Sequence, residues 1–233
     1  HVNTKELIDF FGMKTYNGEL LTMEYTTPLI YRKILSTLSF VYTKSTNQEE
    51  YDFFRIKDVL DSFSEGQVFN KAWAVEELNK LIDDSYEECV VIGSWYGLFS
   101  HLLAESGFKN KIINIELDEV CNLIAKRLKV HDDIIFKCGD GMEIFHELNY
   151  GNKIMVCTAC EHIDDEELYF TLHQKHPNML VCLQSNNYYE IDSHINCKDT
   201  LKDFVESLPL KNIMYKGTKR HKDEYDRFMV IGK

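Results

Sequence analysis

Two groups of residues in this chain are of the right types, at the right spacing, to do chemistry. The first is the run Cys89-Val90-Val91-Ile92-Gly93-Ser94-Trp95-Tyr96-Gly97, followed by the apolar stretch Ile112–Ile115 that ends in Glu116. Glycine lets a backbone pass close to a ligand, and the first turn of a helix offers unpaired N–H groups. A carboxylate 23 positions after Gly93 can accept hydrogen bonds from both hydroxyls of a ribose, near the spacing of about 20 found in dinucleotide-binding units. The second group is Thr158-Ala159-Cys160-Glu161-His162, where Glu161 and His162 are candidate proton acceptors.

Further groups stand at neighbouring strand ends. Asn186, Asn187 and Tyr188 concentrate amides and a ring suited to holding a polar substrate. Cys157 and Cys160 form a Cys-x-x-Cys. No second cysteine pair follows at zinc spacing and Cys157 reads as strand, so buried thiols are expected and no metal ligand is assigned. His194 and the stretch Lys219, Arg220, His221, Lys222 bring positive charge near the same mouth, largely cancelled by Asp223, Glu224 and Asp226.

The elements that must position these groups follow from periodicity. Beyond Glu88, short apolar runs alternate with amphipathic stretches, the pattern of a doubly wound α/β unit. Strands are expected at 88–92, 111–116, 133–137, 153–158, 179–184, 211–216 and 227–232. Helices are expected at 97–106, 118–129, 141–148, 164–174 and 196–207. The last two strands are separated only by a polar loop, 216–226, too short for a crossover helix, so they should pair antiparallel at the sheet edge. Before residue 83 the periodicity is helical, with a Thr27-Pro28 start to a helix through Val41 and further helical stretches at 47–63 and 68–82. The expected organisation is a helical region, 1–83, followed by a Rossmann-like domain, 84–233.

Composition bounds the function. The 233 residues are 44% hydrophobic and carry a formal charge of −12, which suits a globular core and disfavours a large sequence-independent nucleic-acid surface. A local basic groove leaves a nucleic-acid acceptor open. No apolar run reaches the roughly 18 residues of a membrane span, and no secretory-type segment is visible. The odd count of seven cysteines suits a reducing, cytoplasmic setting.

The order of elements from Glu87 to Lys233, with these strand tips, resembles the class I S-adenosylmethionine-dependent methyltransferases. That resemblance implies a mostly parallel seven-stranded sheet with an antiparallel last strand, and S-adenosylmethionine as cofactor. It puts the methionine moiety over the turn Gly93, Ser94, Trp95, Tyr96, Gly97. The ribose falls on Glu116 and the adenine beside Leu117, with Asp140 of the run Asp140-Gly141-Met142 reaching the adenine amino group. Thr158 and its neighbours would face the transferred methyl, and the helical region carrying Gln67, Lys71 and Trp73 would cover the cofactor. Trp73 itself reads as core.

The chain departs from the family pattern at Val91, where an acidic residue is common, and at Trp95, which replaces the central glycine. A residue with a Cβ does not freely take positive φ, so the turn is expected to run differently there. NAD shares the glycine turn and the acidic residue, but needs a third glycine early in the helix, where Phe99, Ser100 and His101 stand. The leading expectation is a methyltransferase acting on a small molecule. A catalytically silent module of the same fold and an aminocarboxypropyl transferase using the same cofactor are the alternatives.

Overall fold

The computed structural model describes Arg55, Asp58, Val59 and residues 61–233 except 130, 222 and 223. The expected helix from Pro28 to Val41 and most of that at 47–63 lie outside the described residues. The described elements are α1 (Glu65–Asn79), β1 (Glu88–Ile92), α2 (Leu98–Glu105), β2 (Lys111–Glu116), α3 (Glu119–Leu128), β3 (Ile134–Cys138), α4 (Gly141–Leu148), β4 (Lys153–Cys157), a 3₁₀ turn (Cys160–His162), α5 (Asp165–His173), β5 (Leu180–Asn186), α6 (Leu201–Glu206), β6 (Ile213–His221) and β7 (Tyr225–Gly232).

The strands form one sheet in the order β3-β2-β1-β4-β5-β7-β6. The first five are parallel, and β7 runs antiparallel between β5 and β6. Successive side chains of a strand leave opposite faces of a sheet, so each inner strand feeds two cores. Cys89 and Val91 of β1 join one core with Val68, Trp73, Phe99 and Ile124, from α1, α2 and α3. Val90 and Ile92 join the other with Phe145, Leu172 and Phe204, from α4, α5 and α6. Burial on both faces is why these strands read as unbroken apolar runs.

Chain order explains where a cleft must open. From β1 the chain winds outward to β2 and β3 on one side, then crosses to β4 on the other. The connections leaving β1 and β4 therefore diverge, the topological switch point at which open α/β sheets bind ligands. Register puts the tips level: Ile92 of β1 pairs with both Ile115 and Cys157, and Glu116 with Cys138.

Two expectations at the far edge need correction. The stretch 216–226, read as a polar loop, is mostly strand, with β6 extending to His221 and β7 beginning at Tyr225. Strand β6 alternates half-buried and exposed residues along its whole length, so its outward Lys216 and Arg220 mimicked a loop. The helix expected over 196–207 is only the six-residue α6, opening at Thr200, whose hydroxyl accepts from Asp203 N–H. Residues 187–199 are instead a loop that folds back over the end of β4.

Trp73 is core as expected, and its indole N–H donates to the Tyr215 hydroxyl at 3.0 Å. Gly141 opens α4 with the place of its missing Cβ only 2.5 Å from Ile92 Cγ2, so the helix can approach the end of β1 only with glycine there. Gly141→Ala should lower unfolding free energy by about 1–3 kcal/mol, measured by denaturant melts; an unchanged midpoint would show that the helix shifts freely.

Candidate functional site

A cavity of about 760 Å³ opens at the level strand tips, within the roughly 300–1,000 Å³ of small-molecule sites. Of the residues singled out in the sequence, Gly93, Trp95, Glu116, Leu117, Asp140, Gly141, Met142, Thr158, Glu161, His162, Asn186 and Tyr188 line it. Ser94, Tyr96, Gly97 and Asn187 do not. Ser94 and Tyr96 are buried beneath the turn, Gly97 caps α2 with φ +83°, and Asn187 accepts from Asp226 N–H at 2.7 Å, tying β5 to β7.

The barrier to positive φ expected at Trp95 is overcome in the turn after β1. Trp95 takes φ +50°, between Gly93 at +63° and Gly97 at +83°. It is held there by its neighbours: its backbone N–H donates to Glu116 Oε2 at 2.8 Å and its indole N–H to Asp58 Oδ2 at 3.2 Å. Asp58 also accepts from the Tyr96 hydroxyl at 2.5 Å, and Arg55 donates to that hydroxyl and to Asp118 Oδ2. Burial, then the bond to Asp58, pushes the Tyr96 phenol well above its usual range. The indole lies along the wall and leaves the cavity open. A Cβ at Gly93 would meet no atom within 4 Å, so the space above that residue is free for a ligand.

Two carboxylates on this side are tied to the backbone. Glu116 Oε1 accepts from Asp118 N–H at 3.2 Å, and Asp140 caps α4 by accepting from the N–H groups of Met142 and Glu143. A carboxylate offers about four acceptor positions, so Glu116 retains capacity for two hydroxyls. Leu117 is 72% exposed, an apolar shelf beside it.

The opposite side is built from buried charge. Glu161, on the 3₁₀ turn after β4, pairs with Arg227 of β7 at 2.9 Å. Its Oε1 accepts from Arg227 and from Asn186 Nδ2 at 2.7 Å. The guanidinium also donates to the Thr158 carbonyl. Oε2 of Glu161, though buried, has no hydrogen-bond partner among the described residues. Lys71 of α1 reaches the same cavity, bonded to Gln67. Burial, reinforced by the Arg227 charge and opposed by Glu161, brings its pKa down to about 7. Burial also lowers His162.

Sequence reasoning missed Arg227 as a site residue, because its signal lay in a strand pattern, and it saw His194 only as charge. Both line the cavity, as do Lys71 and Gln67; Trp73 does not.

No protein-family model matches the sequence, and no curated protein matches it. Solved structures do share its architecture. A SAM-dependent methyltransferase from Leishmania major superposes with a TM-score of 0.55 at 13% identity over 95% of both chains. An O-methyltransferase from Bacillus cereus, in complex with S-adenosylhomocysteine, gives 0.54 at 12% identity, covering 87% of this chain and 91% of that one. A SAM-dependent methyltransferase from Anabaena variabilis gives 0.52 at 16% identity over 68% and 81%. The chain thus has the fold of class I methyltransferases, and at these identities the likeness is one of fold.

The lowered Lys71 pKa links stability to pH. Unfolded, the amine titrates near 10.5; folded, near 7. Between these values the unfolded chain binds the extra proton, so the burial penalty, complete below about pH 7, fades as pH rises. Lys71→Met should remove this term, cutting the gain in stability between pH 6 and pH 9 by about 3 kcal/mol. Parallel slopes for the two proteins in denaturant melts would show that Lys71 is charged in the fold.

Proposed function

We propose that this protein is an S-adenosylmethionine-dependent methyltransferase acting on a small polar acceptor. The observation that carries the reading is one open cavity at the β1/β4 switch point whose two sides differ in chemistry. The side formed by Gly93, Trp95, Glu116, Leu117 and Asp140 suits a nucleoside and its amino-acid tail. Glu116 takes the ribose hydroxyls and Leu117 lies against the adenine. Met142 and Gly141 close the wall beside the base, with Asp140 at its amino group. The carboxylates of Asp58, Glu116 and Asp140 complement the positive sulfonium.

The other side takes the acceptor. Glu161, His162, Asn186 and Tyr188 hold it, with Thr158 near the methyl. The acceptor's lone pair forms the new bond to the methyl carbon as the sulfur–carbon bond breaks. The electron pair of that bond stays on sulfur, and neutral S-adenosylhomocysteine leaves. The acceptor's proton passes to the neutral Lys71 amine. Alignment does the rest, since in-line transfer gains chiefly from positioning. An open cavity supports a ligand-binding role over a silent scaffold.

Arg55 and Asp58, both from the 1–83 region, bond to the turn and to α3, which supports a covering role for that region. Five of the seven cysteines are buried and all seven are free thiols, in keeping with a reducing cytoplasm. Among the described residues no helix is long and apolar enough to cross a membrane.

Calorimetry with S-adenosylhomocysteine should show one site per chain. Glu116→Ala should weaken that binding about 10- to 100-fold, the worth of hydrogen bonds to a charged acceptor, with an unchanged far-UV spectrum. Absence of binding to folded wild-type protein removes the reading; unchanged affinity in the variant removes the ribose assignment.

A further inference from the structure

We propose that Glu161, His162 and His194 form a site for a divalent transition-metal ion in the acceptor half of the cavity. One donor atom from each of the three lies within 4.8 Å of the others, and all three residues line the cavity. They converge from two separate segments: Glu161 and His162 from the 3₁₀ turn after β4, and His194 from the loop after β5. The loop is fastened to the turn by Asn196 N–H donating to the Glu161 carbonyl at 2.9 Å.

Each donor is prepared by its neighbours. His162 Nδ1 lies 3.0 Å from the Ser193 carbonyl, and His194 Nδ1 lies 2.6 Å from the Tyr188 carbonyl. A carbonyl only accepts, so both rings carry their proton on Nδ1 and present the Nε2 lone pair. That is how metal-ligating histidines are commonly held. The rings meet edge to face with centroids 4.7 Å apart. Glu161 has Oε1 taken by Arg227 and Asn186, while Oε2 is buried and unpartnered. A buried carboxylate oxygen with no donor needs a proton or a cation, and a donor atom from each of two imidazoles lies within 4.8 Å of this carboxylate.

The donor set selects the ion. Two imidazoles and one carboxylate suit Zn²⁺, Fe²⁺ or Co²⁺ and not Mg²⁺ or Ca²⁺, which favour oxygen. Ligands about 2.0–2.2 Å from a common zinc ion stand roughly 3–3.5 Å apart, so the three side chains draw together as the ion enters. This set includes neither cysteine of the Cys157-x-x-Cys160 motif. Cys157 and Cys160 are buried in the sheet core and take no part.

Three protein ligands leave at least one coordination position for the acceptor. A hydroxyl bound there is more acidic, because a metal ion lowers the pKa of a bound oxygen. Its proton goes to Lys71, and its oxygen attacks the methyl carbon as above. The acceptor is therefore one with a metal-binding oxygen. That task, though not the site itself, rests on the methyl-transfer reading.

Chelator-treated protein titrated with Co²⁺ should bind one ion per chain and develop the visible absorption of a low-symmetry nitrogen–oxygen site. His162→Ala and His194→Ala should each weaken binding at least about 100-fold, and Mg²⁺ at matched concentration should give no heat. S-adenosylhomocysteine affinity, measured in the same variants without metal, should stay at the wild-type value. No Co²⁺ binding, binding retained in the double variant, a thiolate charge-transfer band, or equal Mg²⁺ binding would each overturn the site. If Co²⁺ binds as described but S-adenosylhomocysteine does not, the metal site stands and the methyltransferase reading falls; the reverse result leaves that reading and removes the site.

Discussion

The buried pair between Arg227 and Glu161 is the constraint on which the site depends. Their side chains are 7% and 4% exposed, and taking two charges out of water costs more than their attraction returns unless further hydrogen bonds complete the geometry. Here they do. Arg227 sits on β7 opposite Asn186 of β5, so one guanidinium and one amide reach the same carboxylate oxygen across adjoining strands, while the Thr158 carbonyl anchors the other arm of the guanidinium. The antiparallel last strand is thus what brings a cation to the end of β4. The network fixes Glu161 through one oxygen and leaves the other, buried, without a hydrogen-bond partner among the described residues.

The cofactor side is organised by a different force. Trp95 at φ +50° carries a strain on the order of 1–3 kcal/mol for a non-glycine residue, and a conformation like this persists only where the surroundings over-determine it. Glu116 supplies one restraint through the Trp95 N–H; Asp58 supplies another through the indole. The carboxylate read from the sequence as a sugar acceptor thus also shapes the turn beside it. Because Glu116 is held by two backbone donors from opposite directions, its remaining acceptor positions are fixed before any ligand arrives, which lowers the ordering cost of binding.

Much of this architecture was legible because parallel strands buried on both faces leave a plain signature. Strands β1 and β2 and helix α4 fall where periodicity placed them. The signal failed at the edge, where β6 shows water its polar side chains and reads as a loop. It failed again after β5, where the Asn196-Cys197-Lys198 stretch carries helix-like spacing but is drawn into loop geometry by Asn196 and Lys198, whose N–H groups donate to the carbonyls of Glu161 and Asn186. The cofactor side was visible since glycine turn and carboxylate are a local, ordered pattern. On the other side Glu161, His162, Asn186 and Tyr188 were also read from strand ends, but the pairing of Arg227 with Glu161 was not, because they come from different elements that only the sheet brings together.

On the proposed reading the two sides impose opposite electrical demands, and separate elements meet them. On that reading a cationic cofactor lies against carboxylates, and Asp140 and Glu116 are held in place by backbone N–H donors. An acceptor that must lose a proton is best met by a base that is neutral near pH 7. Burial of Lys71 on α1, reinforced by the Arg227 charge, moves it toward that condition, with its pKa down to about 7. If Arg227 were absent, Glu161 would stand unpaired beside Lys71, and the natural outcome would be a Lys71–Glu161 ion pair with the amine charged and unable to accept a proton. The guanidinium takes the carboxylate for itself. Its charge thereby adds to the burial that lowers the Lys71 pKa, so one strand-borne arginine acts on both the carboxylate and the lysine of this side of the cavity.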